Sequence, residues 1–120
     1  MFEVSVSSSF HAQHAISILG VDEKTHNHNW KVTASVSGEN LDRDGLLVDF
    51  IQLQSDLEDV IKTIRDTNLN TNPVLHGSNP TTEYVAKYIA TELAKRVKSP
   101  ARLSSITLTE APNCIAIYRP

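Results

Sequence analysis

A chain of 120 residues is long enough for one domain with its own core, and the sequence predicts a single domain over residues 1–120. Its 11 basic and 14 acidic residues give a net charge of −3, and they form no basic run of the kind that binds nucleic acid or an anionic membrane. The single cysteine excludes an internal disulfide, and no apolar stretch is long enough for a signal peptide or a membrane span, so a cytoplasmic protein is expected.

The first segment alternates apolar and polar residues, which predicts a strand with one face in water. Phe2 and Val6 share the apolar parity, and serines occupy the other. The apolar parity continues to His14, so an unbroken strand would place this histidine on the apolar side, whereas a bulge near the serines would turn it away. Residues 16–25 are then expected to form a loop that turns at Gly20.

A second strand is predicted from about residue 26 to residue 37, and it begins with two histidines. Side chains in a strand repeat every two residues, so His26 and His28 point to the same side. If the two strands are adjacent, His14 can join them. Three imidazoles then leave a fourth position open for water or substrate, as a catalytic zinc requires. The sequence therefore predicts a Zn2+ site, with His11 and His76 outside it.

An amphipathic helix should follow, because apolar residues recur at spacings of three and four from Phe50 to Ile64. Asp49 is expected to cap its first turn, a role that suits it better than catalysis. Gln52, three residues further on, would complete a capping box.

A second helix is predicted to begin with Asn79 as its cap and Pro80 at its first position, and to end before Pro100. Two short strands, over residues 103–109 and 114–119, then form a hairpin. Cys114, at the start of the last strand, is expected to be a small core residue. The predicted fold class is α+β, with strands and helices in the order ββααββ. It is a four-stranded antiparallel sheet with both helices on one face.

Five motifs occur in a recognisable order along the chain. They are Phe10-His11-Ala12-Gln13-His14, His26-Asn27-His28-Asn29-Trp30, Gly45-Leu46-Leu47-Val48-Asp49-Phe50, Asn79-Pro80-Thr81-Thr82-Glu83, and Thr107-Leu108-Thr109-Glu110 followed by Tyr118. Together they resemble the 6-pyruvoyl-tetrahydropterin synthase family, which includes the 6-carboxy-tetrahydropterin synthases of queuosine synthesis. The resemblance implies the tunnelling fold and a homohexamer made of two trimers. It also implies a zinc held by His14, His26 and His28, and a pterin held by Glu110.

The chain departs from the family pattern at the position of the usual catalytic cysteine, which is Asp22 here. The next residue, Glu23, lies three residues before His26. This spacing resembles a branch of the family in which glutamate replaces the cysteine and the product, a hydroxymethyl-dihydropterin, feeds folate synthesis. Glu23 is therefore the candidate general base. Otherwise it is a solvated loop charge.

A second departure lies before Leu69-Asn70, where the family's Asp-His pair is missing. The matching positions supply Asp66 but no histidine, so Asp66 is the candidate partner of Glu23. The expected function is a zinc-dependent lyase acting on the side chain of 7,8-dihydroneopterin triphosphate, with 6-hydroxymethyl-7,8-dihydropterin as product. The alternatives are a 6-pyruvoyl- or 6-carboxy-tetrahydropterin synthase, a catalytically silent pterin- or metal-binding homologue, and an assembly protein that keeps the fold for packing alone.

Overall fold

In the computed structural model, which describes residues 1–120, six strands and two helices follow one another along the chain. They are β1 (Phe2–His14), β2 (Ser17–Ile18), β3 (Val21–Asp22), β4 (His26–Gly38), α1 (Phe50–Ile61), α2 (Thr82–Ala94), β5 (Arg102–Ala111) and β6 (Cys114–Tyr118). A short 3₁₀ turn at Pro73–Leu75 lies between the helices. The four long strands form one antiparallel sheet in the order β1-β4-β5-β6, so the predicted four-stranded sheet is confirmed.

The first two long strands pair without interruption from Phe2 opposite Gly38 to His14 opposite His26. No bulge turns the end of β1 away, so His14 stays on the apolar side of the strand and is buried. Both helices cover this same side of the sheet and form the core with it. Large buried residues of the sheet face are Phe10, Trp30, Val32, Val36, Ile106 and Leu108.

Helix α1 begins as predicted, with the Asp49 carboxylate accepting a hydrogen bond of 2.8 Å from the Ile51 amide. The capping box is not formed, because the Gln52 amide donates along the helix to Asp56 instead. The predicted stripe is buried at Leu53, Leu57, Val60, Ile61 and Ile64. Phe50, at the first position of the helix, is half exposed.

Helix α2 begins two residues later than its Asn-Pro sequence suggested. Its N-cap is Thr81, whose hydroxyl accepts a hydrogen bond from the Tyr84 amide. The prediction that Asn79 caps the helix is wrong, because the Asn79 side chain is bonded to the backbone of Ser17. Neither helix of the protein is long and apolar enough to cross a membrane.

Two segments differ from their predictions. The expected loop over residues 16–25 contains the small hairpin of β2 and β3, which turns through Leu19 and Gly20 with positive φ angles of 52° and 78°. Cys114 is exposed rather than buried, since it follows directly on the turn of the β5–β6 hairpin.

A candidate metal centre and active site

The register of two strands brings the predicted histidines together. In the β1–β4 ladder His14 lies directly opposite His26, and Ala12 lies opposite His28. Opposed residues of an antiparallel pair project to the same face, and so do residues two apart on one strand. The three rings therefore share one face of the sheet, with centroids 4.5 to 5.4 Å apart. Strand β5, on the other side of β4, adds Glu110.

One ligand atom from each of these four residues lies within 4.8 Å of the others. His14 Nε2 is 2.7 Å from Glu110 Oε1, and His28 Nε2 is 3.5 Å from the same oxygen. The sequence predicted the three histidines as metal ligands and Glu110 as a substrate-binding residue. The structure brings all four into one cluster.

Backbone carbonyls orient two of the rings. His14 Nδ1 is 2.8 Å from the Pro80 carbonyl oxygen, and His26 Nδ1 is 3.0 Å from that of Lys24. A carbonyl oxygen only accepts, so each Nδ1 carries the proton. In the neutral ring Nε2 then has a free lone pair directed at the cluster, which is the arrangement that metal-binding histidines adopt.

The buried nitrogens of the cluster have no hydrogen-bond partner. His14 Nε2 and His28 Nε2 are both orphaned, since the short contact of His14 with Glu110 lacks the geometry of a donated N–H. If His14 is neutral, the lone pair of its Nε2 faces the Glu110 carboxylate oxygen at 2.7 Å, and the two repel each other. A cation between them removes that conflict, and three imidazole nitrogens with one open position or a carboxylate suit zinc. The residues present therefore fit a zinc ion.

The surroundings of His28 favour its neutral, metal-binding form. Burial lowers the pKa of His28 from its usual 6.5, and the neighbouring His26 and His14 lower it further. The Glu110 carboxylate opposes this by raising the pKa, but the net direction is downward. Protons therefore compete less with a metal at this ring than at an exposed histidine.

Glu23 lies at the edge of the cluster. Its Oε1 is 3.7 Å from His26 Nε2 and accepts a hydrogen bond of 2.9 Å from the Ile16 amide. Its own amide donates to the Ile16 carbonyl at 3.0 Å. The carboxylate is about a third exposed, so a substrate in front of the histidines can reach it. Glu23 is thus an exposed loop residue whose carboxylate has a backbone partner and lies beside His26.

Asp66 is placed differently from Glu23. Its amide donates to the His11 carbonyl at 2.7 Å, and its backbone has a positive φ of 57°. It belongs neither to the metal-binding group nor to the lining of the cavity beside Glu23. The structure therefore does not bring Asp66 to the side of Glu23 within one chain.

A polar cavity of about 490 Å³ opens beside Glu23. Its walls are Ala15, Ser17, Asp22, Glu23, Thr25, Asn70, Gly77, Ser78 and Asn79. The sequence did not assign Asn70 or Asn79 to this place. The Asn-Pro motif singles out Asn79, but the same residues are also typical of a helix cap.

The sequence is similar to a known protein family and to several of its members. The sequence profile of the family described as 6-pyruvoyl tetrahydropterin synthase matches residues 3–120. A dihydroneopterin monophosphate aldolase of Pyrococcus furiosus is 31% identical over 103 residues, which cover 86% of this chain and 84% of that protein. A putative 6-carboxy-5,6,7,8-tetrahydropterin synthase of Archaeoglobus fulgidus is 31% identical over 93 residues, covering 78% of this chain and 76% of that one.

Solved structures share the fold. The 6-pyruvoyl tetrahydropterin synthase of Caenorhabditis elegans superposes with a TM-score of 0.87 at 22% identity, covering 99% of this chain and 95% of that one. A Plasmodium vivax 6-pyruvoyltetrahydropterin synthase superposes with a TM-score of 0.80 at 21% identity, covering 99% and 97%. That structure is of a variant in which a catalytic glutamate is replaced by alanine.

Proposed function

This chain belongs to the 6-pyruvoyl tetrahydropterin synthase family, and we propose that it is a zinc-dependent lyase that cleaves the side chain of a phosphorylated 7,8-dihydroneopterin. It is an enzyme of the lyase class that processes the side chain of a pterin. The proposed product is 6-hydroxymethyl-7,8-dihydropterin. The observation that carries the proposal is the cluster of His14, His26 and His28 with two orphaned nitrogens, next to a carboxylate at Glu23.

His14, His26 and His28 would hold the zinc through Nε2, since Nδ1 of His14 and of His26 is bonded to a carbonyl and Nε2 of His28 is orphaned. When bound, zinc supplies a Lewis acid that polarises the side-chain oxygens of the substrate. The Pro80 and Lys24 carbonyls keep two of the rings in the tautomer that this requires.

Glu23 is the proposed general base. Its Oε1 is held by the Ile16 amide, and Oε2 is left to accept a proton. It takes the proton of the 2′-hydroxyl, whose oxygen then forms the carbonyl of a departing two-carbon aldehyde as the C1′–C2′ bond breaks. The electron pair of that bond passes to C1′ and into the pterin ring, and C1′ then takes up the proton that Glu23 removed from the 2′-hydroxyl. A catalytic glutamate in the Plasmodium vivax protein supports this choice of base. Asp66 stays the proposed alternative, for a site assembled from more than one chain.

Glu110 is proposed to hold the pterin. A carboxylate accepts two parallel N–H donors, which matches the amino-pyrimidinone edge of the ring. Its position beside His14 and His28 would place the pterin side chain in front of the histidines.

The proposed substrate can carry one phosphate or three. The sequence resemblance suggested a triphosphate, whereas the Pyrococcus furiosus relative is named for a monophosphate. The cavity beside Glu23 has two carboxylates, those of Asp22 and Glu23, and no lysine or arginine in its walls. Since like charges repel, this lining disfavours three phosphates. The monophosphate is therefore the proposed substrate.

The proposed assembly is a homohexamer of two trimers. Strands β1 and β6 are the free edges of the sheet in one chain, and such edges are usually covered. Phe2 on β1 and Ile115 and Ile117 on β6 are also exposed apolar side chains along these edges. Light scattering should report a hexamer or at least a trimer. A monomer at micromolar concentration would contradict the proposed assembly.

Product analysis tests the reaction. The zinc-loaded protein is incubated with dihydroneopterin monophosphate or triphosphate, and the products are identified by mass spectrometry. Formation of 6-hydroxymethyl-7,8-dihydropterin from the monophosphate, lost after chelation and restored by zinc, is the expected result. A 6-pyruvoyl or 6-carboxy product would assign the chain to another reaction of the family. The absence of any product would identify a silent pterin-binding homologue.

A further inference from the structure

Between the end of β1 and the start of β2, side chains bind the backbone amides. Three successive amides after His14 each donate to a side-chain oxygen from a different part of the chain. The bonds run from Ala15 to Asn70 Oδ1 (2.7 Å), from Ile16 to Glu23 Oε1 (2.9 Å) and from Ser17 to Asn79 Oδ1 (2.8 Å).

Each asparagine binds both polar groups of one residue. The Asn70 amide also donates to the Ala15 carbonyl at 2.7 Å, and the Asn79 amide donates to the Ser17 carbonyl at 2.9 Å. A paired strand satisfies a residue in the same way, through its N–H and its C=O. The two side chains therefore bind Ala15 and Ser17 as a neighbouring strand would, in addition to the pairing of β2 with β3. Both polar groups of each asparagine are used in these bonds.

Ile16 in turn holds Glu23. The Ile16 amide donates to the Glu23 carboxylate, and the Glu23 amide donates back to the Ile16 carbonyl. Asn79 has a second connection to the site, because the next residue, Pro80, accepts from His14 Nδ1. Each asparagine is therefore connected to the Glu23 carboxylate in three steps. It is hydrogen-bonded to Ala15 or Ser17, this residue is joined to Ile16 by a peptide bond, and the Ile16 amide donates to Glu23.

We propose that Asn70 and Asn79 are positioning residues that fix the Glu23 carboxylate relative to the metal-binding histidines. The inference rests on the proposed function, in which Glu23 is the base. A base acts efficiently only within reach of its proton, and a misplacement of about 1 Å can cost roughly a hundredfold in rate. Neither asparagine needs to touch the substrate for this effect.

The test compares Asn70→Ala and Asn79→Ala with Asn72→Ala. Asn72 is a matched control, since its amide also donates to a backbone carbonyl, that of Thr63 at 2.8 Å, and its oxygen accepts from the Val74 amide at 3.1 Å. It anchors the segment between α1 and the 3₁₀ turn and lies outside the cavity. Zinc content, thermal unfolding, kcat, KM and amide hydrogen exchange are measured for all three variants.

The site variants should lose roughly ten- to a hundredfold in kcat, with KM changed by less than about threefold and zinc retained. Amide exchange of residues 15–23 should accelerate in them and not in Asn72→Ala, whose kcat should equal that of the parent. An equal loss of kcat in Asn72→Ala, or unchanged kcat in both site variants, would overturn the inference and leave the proposed function intact. A parent without turnover would overturn the proposed function, and this inference with it.

Discussion

The inward face of the β1–β4 ladder has two regions that share one register but differ in the groups that contact them. Toward the middle of β1, the inward-facing Ser8 has its hydroxyl bonded to the Glu58 carboxylate of α1. Toward the end of the same ladder, His14 and His28 bury nitrogens that no protein group satisfies. We call the first region the core end and the second the ligand end. Buried polar groups are nearly always paired, and the two orphaned nitrogens at the ligand end are where the proposed zinc would bind.

The core end contributes mainly to the stability of the fold, and the ligand end contributes mainly to the proposed function. The core end is closed by the helices, with Leu57, Ile61 and Ile89 fully buried. An unsatisfied buried group costs about 1–3 kcal/mol, and the proposed zinc would remove that cost at the ligand end. Metal that binds the folded state alone then adds stability by mass action. Mutations at the two ends should therefore change different measurements.

His26→Ala should have the largest effect, because it removes one of three nitrogens from the ligand end. Most of the zinc and all measurable turnover should be lost, while the far-ultraviolet circular dichroism stays that of the parent. His11→Ala is the control, since it changes a histidine on the same pair of strands that lies outside the cluster. If His26→Ala keeps its full metal content by elemental analysis, the metal site lies elsewhere.

Glu23→Gln should come next. Glutamine has nearly the same size and can still accept from the Ile16 amide, but it cannot take a proton at neutral pH. Turnover should fall roughly a hundred- to ten-thousand-fold, with zinc and pterin binding retained. Asp22→Asn, at the neighbouring position in the same cavity, should change the rate far less. Parental turnover in Glu23→Gln would make this residue structural and direct attention to Asp22 or Asp66.

Strand parity explains why much of the ligand end could be predicted. The alternation from Phe2 to His14 and from His26 onward determines which side chains share a face, and it needs no knowledge of distant contacts. The four long strands and the two helices were predicted from the same kind of pattern. The predicted stripe of α1 was also correct, apart from Phe50, whose exposed position depends on how the helix sits on the sheet.

Contacts between distant segments explain what could not be predicted. Asn79 has the sequence of a helix cap, but Ser17, 62 residues away, offers both its amide and its carbonyl to the same side chain. Local propensity cannot decide between these two partners. The approach of Glu110 to His14 likewise depends on the pairing of β5 with β4, which the pattern of a single strand does not contain.

Leu57→Ala tests the core end by itself. Leu57 is fully buried, and truncation of a buried leucine costs about 2–5 kcal/mol of unfolding free energy. Urea unfolding should show this loss, while the folded fraction keeps its zinc stoichiometry and its kcat. Loss of zinc from folded Leu57→Ala protein would show that the two ends are not independent.

Glu110→Gln asks whether the carboxylate of the ligand end binds pterin or metal. Removal of a charge-assisted hydrogen bond costs about 1.5–3 kcal/mol, so KM should rise roughly ten- to a hundredfold with zinc retained. Glutamine keeps one acceptor oxygen but places an N–H donor where the pterin edge also donates. If zinc is lost together with pterin affinity, Glu110 is a metal ligand instead.

Glu58→Gln should have the smallest effect, and it tests the pairing that distinguishes the core end. The hydrogen bond from Ser8 lowers the pKa of Glu58 below its usual 4.5, and Arg65, 2.9 Å away, lowers it further. A carboxyl whose pKa is lower in the folded state stabilises the fold above its unfolded pKa, and this contribution disappears as the pH falls through the folded pKa. Because both side chains are about a third exposed, the contribution at neutral pH should stay below about 1 kcal/mol.

Urea unfolding of the metal-free parent and of Glu58→Gln, followed from pH 7 down to pH 3, measures this contribution. The parent should be the more stable protein at pH 7, and the difference should shrink toward zero as the pH drops below 4.5. Ser8→Ala should reproduce part of this change, since it removes the hydrogen bond with the largest effect on the Glu58 pKa. Parallel curves of unfolding free energy against pH for the parent and Glu58→Gln would mean that the Glu58 carboxylate is no more stabilised in the folded protein than in the unfolded chain. The contrast between a paired core end and an unpaired ligand end would then rest on the histidines alone.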